Sequence, residues 1–525
     1  MSKSAATLLL TCAALTCASV AQAQAWRSDQ GDGTYSNPVL YADYPDPDII
    51  RVGQDFYFTT TTFVNTPGIT VLHSKDLVNW EIVSHVVPRL DGRPQYDMQG
   101  GTAYRSGLFA TSLRYHDGMF WLAVTPVGQN TRIYYAKDAR GPWAYHELDR
   151  QAFDPGLFFD TDGKAYIFTS IGSDGTETLL SLNQDLSRIV DARKIYYDKG
   201  AEGSKVIKKD GWYYLFNAMP SHLALVVSRS RSLDGPWETH SQIDDTTGGH
   251  QGALVDLPNG DWYGFVMRDS GAIGRTTNLS PIFWRDGWPV WGTPDAPDQV
   301  PKTSPKPVKG YPFMEPATSD DFSGKTLGLQ WQWNHNPDDS RWSLTERPGF
   351  LRLKATQGPD FWNARNTLTQ KGQGPFSRGV VKLDIRHVGQ GDSCGFGALG
   401  KFNGQIAVTG AGKGSHTLSM KVIEATEAAP KIDTRVTDVA VKGDTLWLRT
   451  DMDFRTNLAR VDYSLDNKNW TNLGGDFPLA YDWRTGTFQG EQYAIFCYNT
   501  APSNGYLDID SFSLSGPYTA QQAAR

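Results

Sequence analysis

From about residue 34 the chain alternates short apolar, aromatic runs with polar turns that carry glycine, and the alternation repeats. VGQDFYFTT around Gly53, HDGMFWLAV around Gly118, TDGKAYIFT around Gly163, KDGWYYLFN around Gly211 and PNGDWYGFV around Gly260 share one order: turn first, aromatic strand second. Asp-Gly and Asn-Gly supply the positive φ angles of tight hairpin turns. The Tyr, Phe and Trp that follow favour pleated sheet. A second element trails each of the first four hairpins: VLHSKDLVNW, IYYAKDARGPW, LLSLNQDLS and LVVSRSRSLDGPW. Each unit therefore supplies about four strands. Five units between residues 34 and 292 predict a five-bladed β-propeller. A sandwich with coincidental turns would not repeat both elements in the same order.

Residues 293–316, TPDAPDQVPKTSPKPVKGYPFMEP, break the pattern and read as a Pro- and Lys-rich linker. Beyond it, short alternating runs such as GVVKLDIRHV, TLWLRTDMDF and YLDIDSFSL lack helical periodicity and predict a β-sandwich over residues 317–518. The first 25 residues differ from all of this. Lys3 is their only charge, an apolar run extends from Ala5 to Val20, and AQAQAW offers cleavage after Ala23 or Ala25. That is the pattern of a secretory signal peptide. The expected organisation is a leader at 1–25, an all-β propeller at 26–292, a linker at 293–316 and the sandwich. The mature protein is expected to be secreted or periplasmic.

Composition narrows the function. Hydrophobic residues at 39% and charged residues at 20% exclude global disorder. A formal charge of -7 with no block of Lys and Arg leaves no footprint for a nucleic acid. No segment after the leader has the roughly 18 apolar residues needed to span a bilayer, so no membrane partner is expected once the leader is removed. Cys12 and Cys17 fall in the leader. An oxidising compartment permits Cys394 and Cys497 to pair, but their spacing does not decide it. Neither a CxxC pair nor HExxH is present, which argues against thiol redox and zincin chemistry.

The candidate chemistry lies at matched places in the repeats. Counting back from each hairpin glycine to the start of the preceding, innermost strand reaches Asp46, Phe109, Asp154, Glu202 and His250. Pseudo-symmetry aims all five at one axis. Converging carboxylates repel and lose hydration, which is unfavourable unless it serves chemistry. Three acids in an aromatic-rich propeller fit glycoside hydrolysis. One protonates the leaving oxygen, and another activates water from the opposite face across roughly 6.5–9.5 Å in inverting enzymes. A third carboxylate can raise the acid's pKa.

These motifs resemble glycoside hydrolase family 43. NPVLYADYPDPDIIRVGQDFYFTTTT is similar to the family's opening and implies Asp46 as general base. FDPGLFFDTDGKAYIF implies Asp154 as the pKa-modulating residue, and AEGSKVIKKDGWYYLF implies Glu202 as general acid. GHQGALVDLPNGDWYGF implies His250 beside a channel ion, often calcium, partly through water. GRTTNLSPIFWRDGWPVWG implies that Arg275 contacts the sugar or the acid. Two departures stand out. Phe109-Ala110-Thr111 replaces the Trp-Ala-Pro of many relatives, which makes a smaller stacking platform. FVNTPG puts Asn65 and Thr66 where some xylosidases carry aromatics, with Phe63 as a substitute wall or as plain core.

SDDFSGKTLGLQWQWNHNP and YLDIDSFSL resemble the concanavalin- or laminin-G-like jelly roll attached to family xylosidases, which can close one side of the pocket with a loop. Asp321, Asp508 and Asp510 read there as solvated turn acids in preference to a second calcium site. The resemblance implies an inverting, exo-acting hydrolase that releases β-D-xylose and/or α-L-arabinofuranose from xylo- or arabino-oligosaccharides of plant pentosans. An endo-arabinanase and a silent sugar-binding propeller are the alternatives; the latter would lack an acid or base, and none is missing here.

Overall fold

A computed structural model describes residues 25–170, 175–197, 200–243, 250–412 and 414–516. The expected leader lies outside the described residues, apart from Ala25. The described chain is all-β with four short 3-10 turns, and its first half is a five-bladed propeller. The five innermost strands are Asp48–Val52, Ser112–His116, Gly156–Phe159, Glu202–Lys209 and His250–Asp256. They touch one another in ring order around a central channel. Each is followed by antiparallel neighbours that complete its blade. The turn glycines do what their sequence demanded. Asp117 and Gly118 have φ of 50° and 77°, and Asp210 and Gly211 have 51° and 74°, so both central residues of these turns are left-handed.

The ring closes through the N-terminal segment. Val39 N–H donates to Thr277 O at 3.0 Å and Tyr44 N–H to Arg275 O at 3.1 Å, which fastens residues 39–44 along blade five. The segment read as a linker does not hang free. Ala296–Pro297 adds a short strand to blade five, and Thr303–Pro305 pairs antiparallel with Thr34–Ser36. Lys306 then inserts between Asp29 at 2.6 Å and Asp76 at 2.9 Å, all three side chains buried. Proline content hid this, because short strand pairs and a buried ion triad leave no periodicity in sequence.

The second half is a sandwich of two sheets, antiparallel but for the short parallel pair of Thr356–Gln357 with Gln492–Asn499, around a core that includes Phe396, Leu446, Tyr493 and Phe512. Cys394 and Cys497 sit directly opposite on adjacent strands and form a disulfide. Asp508 is not a solvated acid. It is buried and takes bidentate hydrogen bonds from Arg352 at 2.8 and 2.9 Å and a third from Arg347 at 2.9 Å. Asp510 pairs with Lys382, and Asp321 accepts from Ser323 N–H in an exposed turn.

The two halves share structure. Asn65–Thr66 of blade one pairs with Gln332–Asn334 and so becomes the edge strand of a sandwich sheet. One hydrophobic cluster runs through both, joining Ile69, Tyr96 and Leu108 to Phe361, Leu399 and Phe496. Tyr104 stacks on Trp362 with ring centroids 3.7 Å apart, while its hydroxyl donates to Trp362 O and accepts from Asn334. Asn65 and Thr66 are therefore joint residues, buried away from the channel.

Candidate active site

Asp46, Phe63, Phe109, Asp154, Glu202, His250 and Arg275 all line one cavity of ≈ 380 Å³ at the mouth of the channel where the innermost strands begin. Asp46 and Asp154 each precede a proline and lie two residues before their strands. Glu202 and His250 are the first residues of theirs. Equivalent positions in the repeat have thus become neighbours.

The backbone here is strained. Asp46, Phe63, Asp154, Leu223, Gln251 and Phe488, all lining the cavity, have φ of 55°, 50°, 44°, 55°, 43° and 64°. Such conformations cost about 1–3 kcal/mol each and persist only where the surroundings enforce them. For Asp46 and Asp154 the strain opposes the extended preference of a residue before proline. It turns both side chains in at the start of a strand.

The acids differ in surroundings. Arg275 Nη1 lies 3.5 Å from Asp46 Oδ1. Burial first, then repulsion by Asp154 and by Asp46, raises the Glu202 pKa well above the usual carboxylate range, and Arg275 opposes this. Burial followed by repulsion from Asp46 also raises Asp154, against the pull of Lys205, Arg275 and the Gly203 N–H. Arg275 is buried, not at the surface, and its backbone N–H donates to Asp43 at 2.7 Å.

Phe63 is 1% exposed yet forms the pocket floor, with its ring 4.6 Å from Phe488 and 5.4 Å from Phe109. Phe63 is thus both buried and part of the cavity lining. His250 Nε2 meets Asp269 at 3.3 Å, and its buried Nδ1 has no hydrogen-bond partner among the described residues. Calcium takes six to eight oxygen ligands. Around His250 the described residues supply one carboxylate, already bonded to the imidazole. Among the described residues no group of three His, Cys, Asp or Glu is arranged to hold a metal. A calcium beside His250, as the resemblance implies, would have the free ring nitrogen of His250 and the Asp269 carboxylate nearest it among the described residues and would be held largely through water.

Several pocket residues escaped the sequence reading, and four of them bear polar or aromatic groups that matter to the site. Tyr481, Trp483 and Phe488 reach over from a sandwich loop, and Asp269 ends the second strand of blade five. The loop's signal was present in AYDWRTGTFQG, three aromatics in a Gly- and Thr-containing stretch between two strands. Nothing in the sequence pointed that stretch at the propeller.

The profile described as Glycosyl hydrolases family 43 matches residues 35–289, and that of the Beta xylosidase C-terminal Concanavalin A-like domain matches 319–515. A beta-xylosidase of Formosa agariphila is 33% identical to this chain, over 96% of this chain and 94% of its own. The chain belongs to glycoside hydrolase family 43. A non-reducing end alpha-L-arabinofuranosidase of Bacteroides ovatus is 35% identical over 68% of this chain and 70% of its own. A solved family 43 hydrolase, whose active site was engineered to display both endo-xylanase and exo-arabinofuranosidase activity, superposes with a TM-score of 0.85 at 29% identity, covering 92% of this chain and all of that one. This family 43 member is thus a glycosidase with the family's propeller and the concanavalin-like domain.

Proposed function

We propose that this enzyme is an inverting, exo-acting glycosidase that removes β-D-xylosyl or α-L-arabinofuranosyl units from the non-reducing ends of xylo- and arabino-oligosaccharides. The observation that carries the reading is the pocket itself. Three carboxylates converge at one end of the channel, and Tyr481, Trp483 and Phe488 of the sandwich wall off one side. A cavity closed in this way suits a chain end better than the middle of a polymer. An endo-arabinanase needs an open groove, which the sandwich loop obstructs.

Glu202, kept protonated by burial and by its acidic neighbours, donates its proton to the leaving glycosidic oxygen. Asp46 takes a proton from the water that attacks the anomeric carbon from the opposite face, which inverts the configuration. Asp154 tunes and orients Glu202. Phe63 and Phe109 supply apolar faces to the sugar ring, and Arg275 holds Asp46 and reaches toward the sugar hydroxyls. The beta-xylosidase and arabinofuranosidase activities of the relatives support a pentose at this site. The compartment proposed is secreted or periplasmic, and the Cys394–Cys497 disulfide favours it.

The test is turnover of 4-nitrophenyl β-D-xyloside and α-L-arabinofuranoside side by side, with xylobiose and arabinan as natural substrates. Release of single pentoses, with an α-anomer produced first from the β-xyloside, is the expected result. Cleavage of neither glycoside, or shortening of arabinan from within, would overturn the exo-pentosidase reading.

A further inference from the structure

The channel through the propeller has a second opening at the end away from the catalytic carboxylates. There the later residues of all five innermost strands wall a cavity of ≈ 310 Å³. The hairpin turns that follow these five strands are all among the described residues. The charged lining of this cavity does not cancel. Arg114 bonds to Asp48 at 2.8 Å, and Arg51 pairs with Asp256. Asp48 also accepts from the Leu113 N–H at 2.8 Å, so its carboxylate is already engaged. Lys205 is the third cation of the lining. It is 2% exposed, and its Nζ has no hydrogen-bond partner among the described residues. A buried amine in that state gives up hydration without a protein partner in return. Burial accordingly lowers the Lys205 pKa, against the pull of Asp48.

Three cations against two carboxylates leave the lining one negative charge short. The same wall carries ring surface: His116 stacks on Phe159 with centroids 4.2 Å apart, and Tyr115 beside them is 42% exposed. A concave space of this size, with rings and a buried polar group converging on it, has the make-up of a small-molecule site.

We propose that this cavity is a second, non-catalytic binding site that takes a single carboxylate, either a free small acid or one carried on a sugar ring. The carboxylate accepts from Lys205 Nζ and supplies the missing charge, and the rings flank whatever bears it. The site goes beyond the glycosidase reading. It makes no use of Asp46, Asp154 or Glu202, and its test measures no turnover.

The experiment is titration calorimetry of the full chain with sodium acetate, sodium glucuronate and, as the neutral control, xylose. Two variants accompany the wild type, each checked for its melting temperature. Lys205→Met removes the contact. Ile207→Glu places a negative charge on a half-buried residue of the same wall. Wild type should bind at least one of the two acids, and both variants should bind it about 10-fold or more weakly, as expected for loss of a hydrogen bond to a charged group. Their heats with xylose should stay unchanged. Glucuronate binding more tightly than acetate identifies a sugar-borne carboxylate, and equal affinities identify a free one. The proposal is overturned if neither acid binds the wild type, or if Lys205→Met binds the acids as the wild type does, which would place them elsewhere. If neither variant folds, bromide soaked into wild-type crystals decides: an anomalous peak within hydrogen-bond reach of Lys205 Nζ supports the site, and none there overturns it.

Discussion

Arg275 of the propeller donates through Nη2 to the backbone carbonyl of Phe488 in the sandwich, 3.3 Å away. The same guanidinium lies 4.9 Å from the Phe488 ring and 3.5 Å from Asp46. A residue of the second domain thus helps to place the cation that faces the proposed base. Phe488→Ala should lower kcat/KM by about 10-fold, in line with roughly 1–2 kcal/mol for a desolvated cation–π contact. Steady-state kinetics on xylobiose would check this, and unchanged kcat/KM would remove the sandwich from the catalytic arrangement.

Glu202→Ala should cut kcat on xylobiose by at least ~10²-fold, the usual contribution of a general acid. The loss should be smaller on 4-nitrophenyl xyloside, whose leaving group needs little protonation. Asp46→Ala should affect both substrates alike, because water must be activated in either case. An equal loss on both substrates for Glu202→Ala would contradict its assignment as the acid.

Asp154→Asn should move the basic limb of the kcat profile to lower pH. Glu202 works protonated, so turnover falls as pH rises through its pKa. Burial is the largest cause of that raised value, and the Asp154 charge is the next. Removing the charge lowers the pKa in part and leaves the burial contribution. A basic limb that stays in place would show that Asp154 does not tune the acid.

Lys306→Met should destabilise the fold by about 3–5 kcal/mol, since it leaves Asp29 and Asp76 buried without their cation. Burial opposes ionisation of Asp29, but hydrogen bonds from Asn79 and Lys306 hold its pKa below the usual value. That contribution is present above the ordinary carboxylate pKa and is lost as pH falls through the lowered one. Lys306 is raised, so its part persists below the ordinary lysine pKa and is lost only in strong alkali. Denaturant titration at neutral pH should show the deficit in full, and the gap between variant and wild type should close on strong acidification.

Tyr104→Ala should cost about 3–5 kcal/mol, the range for removing a buried aromatic, and should loosen the contact between the halves. Trp362 then loses its stacking partner and Asn334 its acceptor. Proteolysis should begin within residues 296–316 in this variant before the blades are cut. A variant as resistant as wild type would mean that the joint is held elsewhere.

Much of this was legible because a repeat states its own geometry. The glycines fixed the hairpins, and counting back from them placed Asp46, Phe109, Asp154, Glu202 and His250 around one opening. Arg275 and Phe63 came from resemblance, and their burial, with Arg275 at 5% and Phe63 at 1% exposure, could not be read from the chain. What stayed hidden depends on contacts between distant segments. Phe488 lies 213 positions from Arg275, and no local pattern links them. Asn65 and Thr66 looked like missing sugar contacts; in the structure they extend the neighbouring domain's sheet. Asp508 sits in an alternating strand, where nothing distinguishes an exposed acid from one clasped by two arginines.

The pairing of Asn65–Thr66 with Gln332–Asn334 also bears on how the enzyme is made. A ribosome finishes blade one long before it reaches residue 334, and the catalytic wall waits for Phe488. The nascent propeller therefore emerges with an open seam and with a pocket that lacks one wall until Phe488 has been added. Blade one and the sandwich would have to be exchanged together in any recombination with a relative, because each carries half of the other's boundary.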